Sequence, residues 1–550
     1  MKKNLKYTLL ALFGAVTLNS CDLNEEYYSS VTPDTFITCP ENTYAILCRP
    51  FTHWKWYVGA DRWYLQELTT DEMTCPTRGS DFYNNGEYLR LQYHTWVPND
   101  RFVDNTYTGT VQGVARALEA YEDLAGVNYN AIGLDDKVKA DHLNQLNSIM
   151  AYYYMRGLDF FGGMAIYRSV NDAVTSRSTA QETFDFIEGL LKDAIPQLNK
   201  KEVLGASEDG YIKQGAAAAM LAQLYFNSEA YTGVKRYADA AKICQDIING
   251  VYGKYDLDPT WYGPHSFDND KSPEAIWNVP SENAKLEWNW YYRYFYSQQA
   301  RDYFDVSFPA SIYNGFCLTP SRESEGSPVY SQWKLGNPYE KFHDKDLRKK
   351  PYVYLGGKKY QGMFCVGEQK NPLTGKTVKG MKDKAGQDIV LKDYINVTGK
   401  ESNMLAGSED SGVRLVKAPI PNNADIQYLW NPDCPAIRLT EIYYMLAECL
   451  WRDGNKSEAA KLINKVRERN FAGNVDPDPV PDNFNVYRLA DEWMIEFLGE
   501  GRRRTDLIRL GLWDTEAWWD HEPSDATKRI FPLPSTAIAG NPLLTQNPGY

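Results

Sequence analysis

Aromatic residues crowd two stretches of the 550-residue chain, and polar residues lie among them. Flat rings can stack on the C–H faces of sugars, while amide, carboxylate and guanidinium groups can bind sugar hydroxyls. The first stretch contains Trp54, Trp56, Tyr57, Trp63, Tyr64, Phe82, Tyr83, Tyr93 and Trp96, with Arg78, Asp81, Asn84 and Asn99 nearby. The second contains Trp288, Trp290, Tyr291, Tyr292, Tyr294, Phe295 and Tyr296. Because both fall in loop-rich sequence, each is a candidate ligand platform, and core packing is the alternative for any single ring.

No catalytic motif stands out from the sequence. Asp71 and Glu72 are adjacent carboxylates, but a glycosidase needs two carboxyl groups that face each other across a bond, and sequence neighbours usually point apart. The run 374–377 resembles the end of a phosphate-binding loop, yet Lys370 stands where that loop requires glycine. Neither an HExxH nor a GxSxG motif occurs. We therefore expect a protein that is not an enzyme, with a secreted glycoside hydrolase as the alternative of another class.

The N-terminus has the pattern of an export signal. Lys2, Lys3 and Lys6 precede an apolar run over residues 7–18, which ends in Leu18-Asn19-Ser20-Cys21. This run is too short to span a bilayer, which needs about 20 apolar residues. The pattern predicts a lipoprotein signal peptide over residues 1–20, with lipid attached to Cys21 of the mature chain. The alternative is an ordinary cleaved signal that leaves Cys21 free.

The charge of the chain argues against a nucleic-acid partner. Removing residues 1–20 removes three lysines and no acidic residue, which takes the formal net charge from −13 to −16. Nucleic-acid binders need a cationic footprint, and an acidic surface does not dock on anionic lipid. Any membrane attachment must therefore come from the lipid on Cys21. The other cysteines form no CxxC pair. Cys39 and Cys48 could form a disulfide, and two free thiols are the alternative.

Apolar residues recur at spacings of three and four in two parts of the chain, which predicts helices. The segments in the first part are Val111–Leu124, Val138–Phe161, Glu182–Leu198, Ile212–Tyr225 and Tyr237–Ile248. In the second part, two apolar stripes flank a turn at Gly454-Asn455, as in a tetratricopeptide-type hairpin. Two generic helix pairs would look similar. Residues 250–435 and the stretch from Phe51 to Trp96 are predicted to be irregular, because Pro, Gly, Asn and Asp recur there.

Several motifs taken in order resemble the SusD/RagB family of outer-membrane nutrient-binding lipoproteins. In the C-terminal half the resemblance lies in residues 438–448, 466–469, 496–509, 531–534 and 541–550. Upstream, residues 67–72, 151–154 and 161–163 agree with it, and so do the acidic residues Asp22, Glu25 and Glu26 after Cys21. The likeness extends over essentially all of residues 21–550.

The resemblance implies a mostly α fold in one domain over residues 21–550. Tetratricopeptide-like hairpins within 100–250 and 436–515 would form a scaffold, with loop-rich ligand-binding parts within 50–100 and 250–435. Such a protein would sit on the extracellular face of the outer membrane as a lid on a SusC-like TonB-dependent transporter, and would pass it oligosaccharide or polysaccharide. Peptides or glycopeptides are the alternative cargo. The run Arg502–Arg504 would be structural.

The resemblance also suggests where the ligand binds. The starch-binding prototype of the family has a Trp-x-Trp pair where this chain has Cys75-Pro76-Thr77, which argues against starch. The candidate ligand residues are instead Arg78, Asp81, Trp96 and Asn99, faced by Trp288, Trp290 and Tyr292. No cofactor is required. Some relatives hold a structural calcium ion, for which Asp268, Asp270 and Asp433 are the candidate ligands, and ordinary loop acids are the alternative.

Overall fold

The computed structural model describes residues 33–59, 61–282, 299–307, 313–395 and 403–550. Along the sequence, an irregular middle part separates two groups of long helices. The helices of seven or more residues are α1 (Pro40–Val58), α2 (Asp61–Glu67), α3 (Arg101–Ala125), α4 (Asp136–Phe161), α5 (Ala180–Ala194), α6 (Gln214–Phe226), α7 (Tyr237–Ile248), α8 (Leu439–Arg452), α9 (Lys456–Arg467), α10 (Val486–Phe497) and α11 (Arg503–Leu510). Shorter helices are Pro33–Phe36, Glu87–Gln92, Ser228–Thr232, Ala300–Phe304, Pro338–Lys341 and Ser535–Gly540.

The long helices pack as successive hairpins. Helix α3 lies against α4, α4 against α5, α6 against α7, and α8 against α9. Gly454, with φ of 87°, turns the chain between α8 and α9, and the Asn455 side chain then accepts a hydrogen bond from the Glu458 amide to begin α9. Helix α7 also packs on α8, which joins the two helical parts in one core. The predicted fold class, a helical-hairpin scaffold with a loop-rich region, is confirmed.

A glycine allows α3 and α4 to approach closely. A Cβ atom at Gly113 would lie 2.3 Å from the ring of Tyr153, which is fully buried. We expect Gly113→Ala to lower the free energy of unfolding by about 1–3 kcal/mol, because the added methyl overpacks this contact. Urea unfolding measures the loss. Gly126→Ala at the end of α3 is the matched control, since its Cβ would have 3.9 Å to the nearest atom; an equal loss in both variants would contradict the packing argument.

The strands are short and form five antiparallel pairs among the residues described. The pairs are Met73–Thr74 with Cys317–Leu318, Ala275–Val279 with Cys434–Arg438, Val353–Gly356 with Lys359–Gln361, Phe364–Cys365 with Arg414–Leu415, and Gly367–Glu368 with Val390–Leu391. The pair formed by Ala275–Val279 and Cys434–Arg438 ties the irregular middle part to the start of α8. Cys39 and Cys48 are free thiols in this structure.

The prediction of irregular structure from Phe51 to Trp96 is wrong for its first part. Helix α1 runs on to Val58 although Pro50 lies inside it, and α2 follows at once. Trp54 is fully buried and stacks on Trp277 with ring centroids 3.9 Å apart, so it belongs to the core. Tyr57, Trp63 and Tyr64, which lie in the same part of the stretch, are also buried. Core packing, the alternative stated for these rings, is what the structure shows.

Buried ion pairs connect the scaffold to the irregular part. Arg438 is 3% exposed and contacts three carboxylates, with Nη1–Oε1 distances of 3.1 Å to Glu274 and 2.8 Å to Glu496 and an Nη2–Oε1 distance of 2.8 Å to Glu500. Burial alone would raise the pKa of Glu274, but Arg469 and Arg438 lower it to about 2. These charges therefore hold the start of α8, the end of α10 and the loop before residue 275 in one arrangement.

The run Arg502–Arg504 is structural, as the resemblance implied. Arg502 pairs with Glu441 and Asp506 at 2.8 Å each, and Arg504 lies 3.5 Å from Asp159. Since all three guanidinium groups are largely buried, they are anchors inside the core and do not form a solvated helix face.

Candidate functional site

Arg78 and Asp81 lie on one loop, but their side chains have different environments. Arg78 is 5% exposed, and its guanidinium donates to the carbonyl oxygens of Ser408 (2.5 Å), Ser411 (3.0 Å) and Gly315 (3.2 Å). In this arrangement Arg78 positions the loop against two other segments. Asp81 is half-buried and accepts a hydrogen bond from Lys382, so its carboxylate lies at the surface.

Trp96 and Asn99 are placed apart by the fold. Trp96 is 2% exposed, donates its indole N–H to the Tyr550 hydroxyl at 2.7 Å, and packs on Phe531 with ring centroids 4.6 Å apart. Its ring faces are used in the core, so the structure does not present it for stacking on a ligand. Asn99 is exposed. Trp288, Trp290, Tyr292 and the predicted lipid-bearing Cys21 lie outside the described residues.

Asp71 and Glu72, the acids considered for a hydrolase, are inaccessible. Asp71 is fully buried and accepts two hydrogen bonds from Arg503, at 2.7 and 2.9 Å, and one from the Gly336 amide at 2.9 Å. Glu72 is 1% exposed. Burial and the neighbouring carboxyl of Glu67 raise the pKa of Glu72 well above its ordinary value. Because both carboxyl groups are buried among protein groups, a glycosidic bond cannot reach them.

Two of the three predicted calcium ligands, Asp270 and Asp433, line one small cavity, whereas Asp268 does not line it. The Asp268 carboxylate binds Lys358 Nζ at 2.7 and 2.9 Å, and Asp433 Oδ1 accepts the Ser281 amide at 2.8 Å. Burial raises the pKa of Asp433 to about 7, although that amide opposes the rise. Within the ranges described, no group of three or more His, Cys, Asp or Glu side chains is arranged to hold a metal ion.

An open groove of about 560 Å³ lies beside the loop of Arg78 and Asp81. Its walls come from four separate segments and combine half-buried rings with polar groups: Tyr93, Trp333, Asn403, Asp520, Glu522, Ser524, Asp525 and Lys528. The Tyr330 ring extends the rim, with its centroid 4.7 Å from that of Trp333. The Thr77 amide donates to the Met404 carbonyl at 2.7 Å, which fixes the Arg78 loop to the segment that contributes Asn403.

A column of four aromatic rings in contact with one another forms the floor of this groove, and the planes of its middle pair, His94 and His521, are tilted by 54°. Trp513 and His94 stack with centroids 4.0 Å apart, His94 and His521 are 4.2 Å apart, and His521 stacks on Trp518 at 3.8 Å. Burial lowers the pKa of His521 to about 4, and burial together with His521 lowers the pKa of His94 well below its ordinary value. Both imidazoles are therefore neutral at physiological pH, and the floor is rigid and uncharged.

Two residues of the groove have a backbone conformation that side chains disfavour. His94 and Asp520 have φ of 51° and 50°, in the left-handed region. The surrounding bonds enforce this geometry: Asp520 Oδ2 accepts the Tyr93 hydroxyl at 2.8 Å and the Met404 amide at 3.1 Å. Such conformations cost about 1–3 kcal/mol and concentrate at functional sites. The groove is accordingly a site whose shape is held in place before any ligand binds.

Sequence reasoning found one side of this groove and missed the other. Tyr93 belongs to the first aromatic stretch, whereas Trp333, Tyr330 and the segment 518–528 were not singled out. Trp333 lies in a polar, loop-rich stretch, and no local spacing relates it to Tyr93. Only the fold brings these segments together. In the sequence, the indication of a binding role for Trp333 was limited to its being a tryptophan.

The fold and the groove together define a tetratricopeptide-like scaffold that carries an irregular region with an open aromatic groove. A model of the SusD family matches residues 273–550. The chain is 34% identical over 510 residues to the starch-binding protein SusD of Bacteroides thetaiotaomicron, covering 88% of this chain and 84% of that protein. It is 21% identical to SusD-like protein P38 of Formosa agariphila, covering 100% of this chain and 99% of that protein.

A solved structure has the same fold. Surface glycan-binding protein A of Bacteroides fluxus superposes with a TM-score of 0.66 at 16% identity, covering 93% of this chain and 100% of that one. The chain belongs to the SusD family, as its motifs suggested. None of the helices in the described ranges combines the length and apolar character that a membrane span requires.

Proposed function

We propose that this protein binds oligo- or polysaccharide at the cell surface, with the groove around Trp333 as the binding site. The observation that carries the proposal is the groove itself, in which accessible rings and hydroxyl-binding groups converge on one open cleft. Names among its relatives support a glycan ligand, since one is a starch-binding protein and others bind laminarin or laminarihexaose.

The groove suits a sugar chain better than a compact apolar ligand. The rings of Trp333 and Tyr93 offer stacking surfaces, and the Asn403 amide can exchange hydrogen bonds with hydroxyl groups. Asp520 and Glu522 can accept from hydroxyls, and Lys528 can donate to ring oxygens. Asp81 and Asn99, which lie at the surface, remain proposed hydroxyl partners, and Trp288, Trp290 and Tyr292 remain a proposed facing platform.

The proposed role is capture and not turnover. The protein would be anchored by lipid on Cys21 at the extracellular face of the outer membrane, and would deliver its ligand to a partner SusC-like TonB-dependent transporter. The family relationship and the signal sequence support this arrangement. A peptide or glycopeptide cargo handled by the same lid-on-transporter mechanism is the second candidate, and it is distinguished by the binding measurement.

Affinity gels that contain plant, host or microbial polysaccharides test the proposal. We expect one polymer to retard the protein without releasing reducing sugar. Trp333→Ala should weaken that binding at least about fivefold, because a stacked ring contributes about 0.5–1.5 kcal/mol beyond its buried area. Trp56→Ala is the matched control, since Trp56 is an exposed ring on α1, outside the groove. Equal weakening by both variants, or retardation unchanged in Trp333→Ala, would remove the groove as the binding site.

A further inference from the structure

A small polar cavity lies inside the molecule, between the N-terminal and C-terminal helices. Its volume is about 130 Å³. The wall is formed by α2, α4 and α6, by the strand Cys434–Arg438 and by the turn at residues 499–502. This cavity is distinct from the open groove.

Most charged groups of this cavity are paired with one another. Glu500 binds Arg438 and Lys417, and Arg502 binds Glu441 and Asp506. The remaining acid of the wall is Asp433, whose Oδ1 accepts the Ser281 amide at 2.8 Å. His265 is neutral, because burial lowers its pKa to about 3.

Two guanidinium groups of the wall have no such partner. Arg62 is 7% exposed and donates only to the carbonyl oxygens of Gly501 and Val58, at 3.2 Å each, while its Nε is buried and unbonded. Arg156 lies over the Tyr152 ring at 5.3 Å, and its buried Nε also has no hydrogen-bond partner. In the part of the chain that the structure describes, no carboxylate lies within 4 Å of either group.

An uncompensated cation is costly in such a place. Removing a charge from water costs several kcal/mol unless an opposite charge and hydrogen bonds replace the water. The cavity offers two such cations and unused N–H donors. A small oxyanion supplies both the charge and the acceptors, and a guanidinium can bind it through two parallel N–H bonds.

We propose that this cavity binds a small inorganic oxyanion of the phosphate or sulfate type, held by Arg62 and Arg156. The ion joins helices α2 and α4 to the strand Cys434–Arg438 and the turn at Gly501, and so stabilises the junction of the two helical parts.

Thermal unfolding of the purified protein in inorganic phosphate, against sodium chloride at equal ionic strength, tests this proposal. We expect phosphate to raise Tm in a saturable way, since a ligand that binds only the folded state stabilises it by mass action. Arg62→Met and Arg156→Met should each raise the apparent Kd for phosphate at least about tenfold. Arg116→Met, which removes an exposed arginine of α3, should leave the phosphate effect unchanged.

The variants separate ion binding from a merely structural role. In chloride alone, Arg156→Met should unfold at the wild-type temperature or above it, because it removes a half-buried cation that has no carboxylate within 4 Å among the described residues. Arg156→Lys keeps the charge but not the paired donors, so it should bind phosphate more weakly than wild type and more tightly than Arg156→Met. An equal rise of Tm in chloride, a phosphate effect that persists in both Met variants, or stronger stabilisation by galacturonate than by phosphate would each overturn the proposal.

Discussion

Replacement of Arg503 by methionine is expected to lower the free energy of unfolding by about 3–5 kcal/mol, because it leaves a buried carboxylate without its counter-charge. Arg503 is 1% exposed and Asp71 is fully buried, and two hydrogen bonds of 2.7 and 2.9 Å join them. Arg503 Nη1 also donates to the Ala490 carbonyl at 2.7 Å. The variant therefore disconnects α11 from both the loop after α2 and helix α10. Denaturant unfolding measures the loss.

A double-mutant cycle distinguishes the ion pair from general disruption of the core. Asp71→Leu with Arg503→Met removes both charges, and replacement of a buried pair by apolar groups is often neutral or stabilising. We expect the double variant to be clearly more stable than Arg503→Met alone. Arg116→Met is the control for loss of an exposed arginine, and its effect should stay within about 0.5 kcal/mol. If the two single effects simply add in the double variant, the pair does not stabilise this junction.

The helical scaffold could be predicted because its signals are local. The apolar spacing within 111–248 and the Gly454-Asn455 turn come directly from helix geometry, and the structure places α3–α9 there with small differences at the ends. Helix α1 escaped prediction because Pro50 and a high density of aromatic residues conceal its periodicity. Its rings pack against residues distant in sequence, as Trp54 does against Trp277, and such partners cannot be identified from local spacing.

The binding surface was predictable only in part, because residue type does not determine burial. Arg78 and Trp96 have the right chemistry for sugar binding, yet carbonyl oxygens from distant loops bind the first, and Tyr550 and Phe531 enclose the second. Asp81 lies three residues from Arg78 and is at the surface. Segments near residues 315, 408 and 531, hundreds of residues further along the chain, bury these side chains and so give them a structural role.

The groove and its floor have different physical properties, and function requires both. Accessible rings and polar groups on the walls can contact a flexible sugar chain, whereas the column of Trp513, His94, His521 and Trp518 packs beneath them. A rigid floor lowers the entropy that binding must overcome, since the wall segments are already ordered. The same column makes the stability of the groove sensitive to acid.

Acidification from about pH 8 to about pH 5 is expected to destabilise the protein through His521 and His94. His521 Nδ1 donates to the Gln92 carbonyl at 2.6 Å, and its Nε2 is buried without a hydrogen-bond partner. His94 donates to the Thr69 carbonyl at 3.0 Å, and the two rings are 4.2 Å apart. Protonation would place two positive charges in contact and add an N–H at His521 Nε2 that has no acceptor.

The direction and range follow from the lowered pKa values. A histidine with an ordinary pKa of 6.5 when unfolded and about 4 when folded gives its full stability above pH 6.5 and loses it as the pH falls toward 4. The whole loss corresponds to about 3 kcal/mol, of which about 2 kcal/mol arises by about pH 5. Because other groups titrate in this range, the comparison that matters is between the wild-type protein and a variant that lacks the imidazole.

His521→Phe is that variant. It keeps a flat ring to stack on Trp518 but cannot take up a proton, so its loss of stability between about pH 8 and about pH 5 should be about 2 kcal/mol smaller than that of the wild type. At pH 8 it should be less stable by about 1–3 kcal/mol, because the Gln92 carbonyl loses its donor. Urea unfolding of both proteins at both pH values gives the four free energies of unfolding that this comparison needs. Parallel pH profiles for the two proteins would show that His521 is not the group whose protonation weakens the groove.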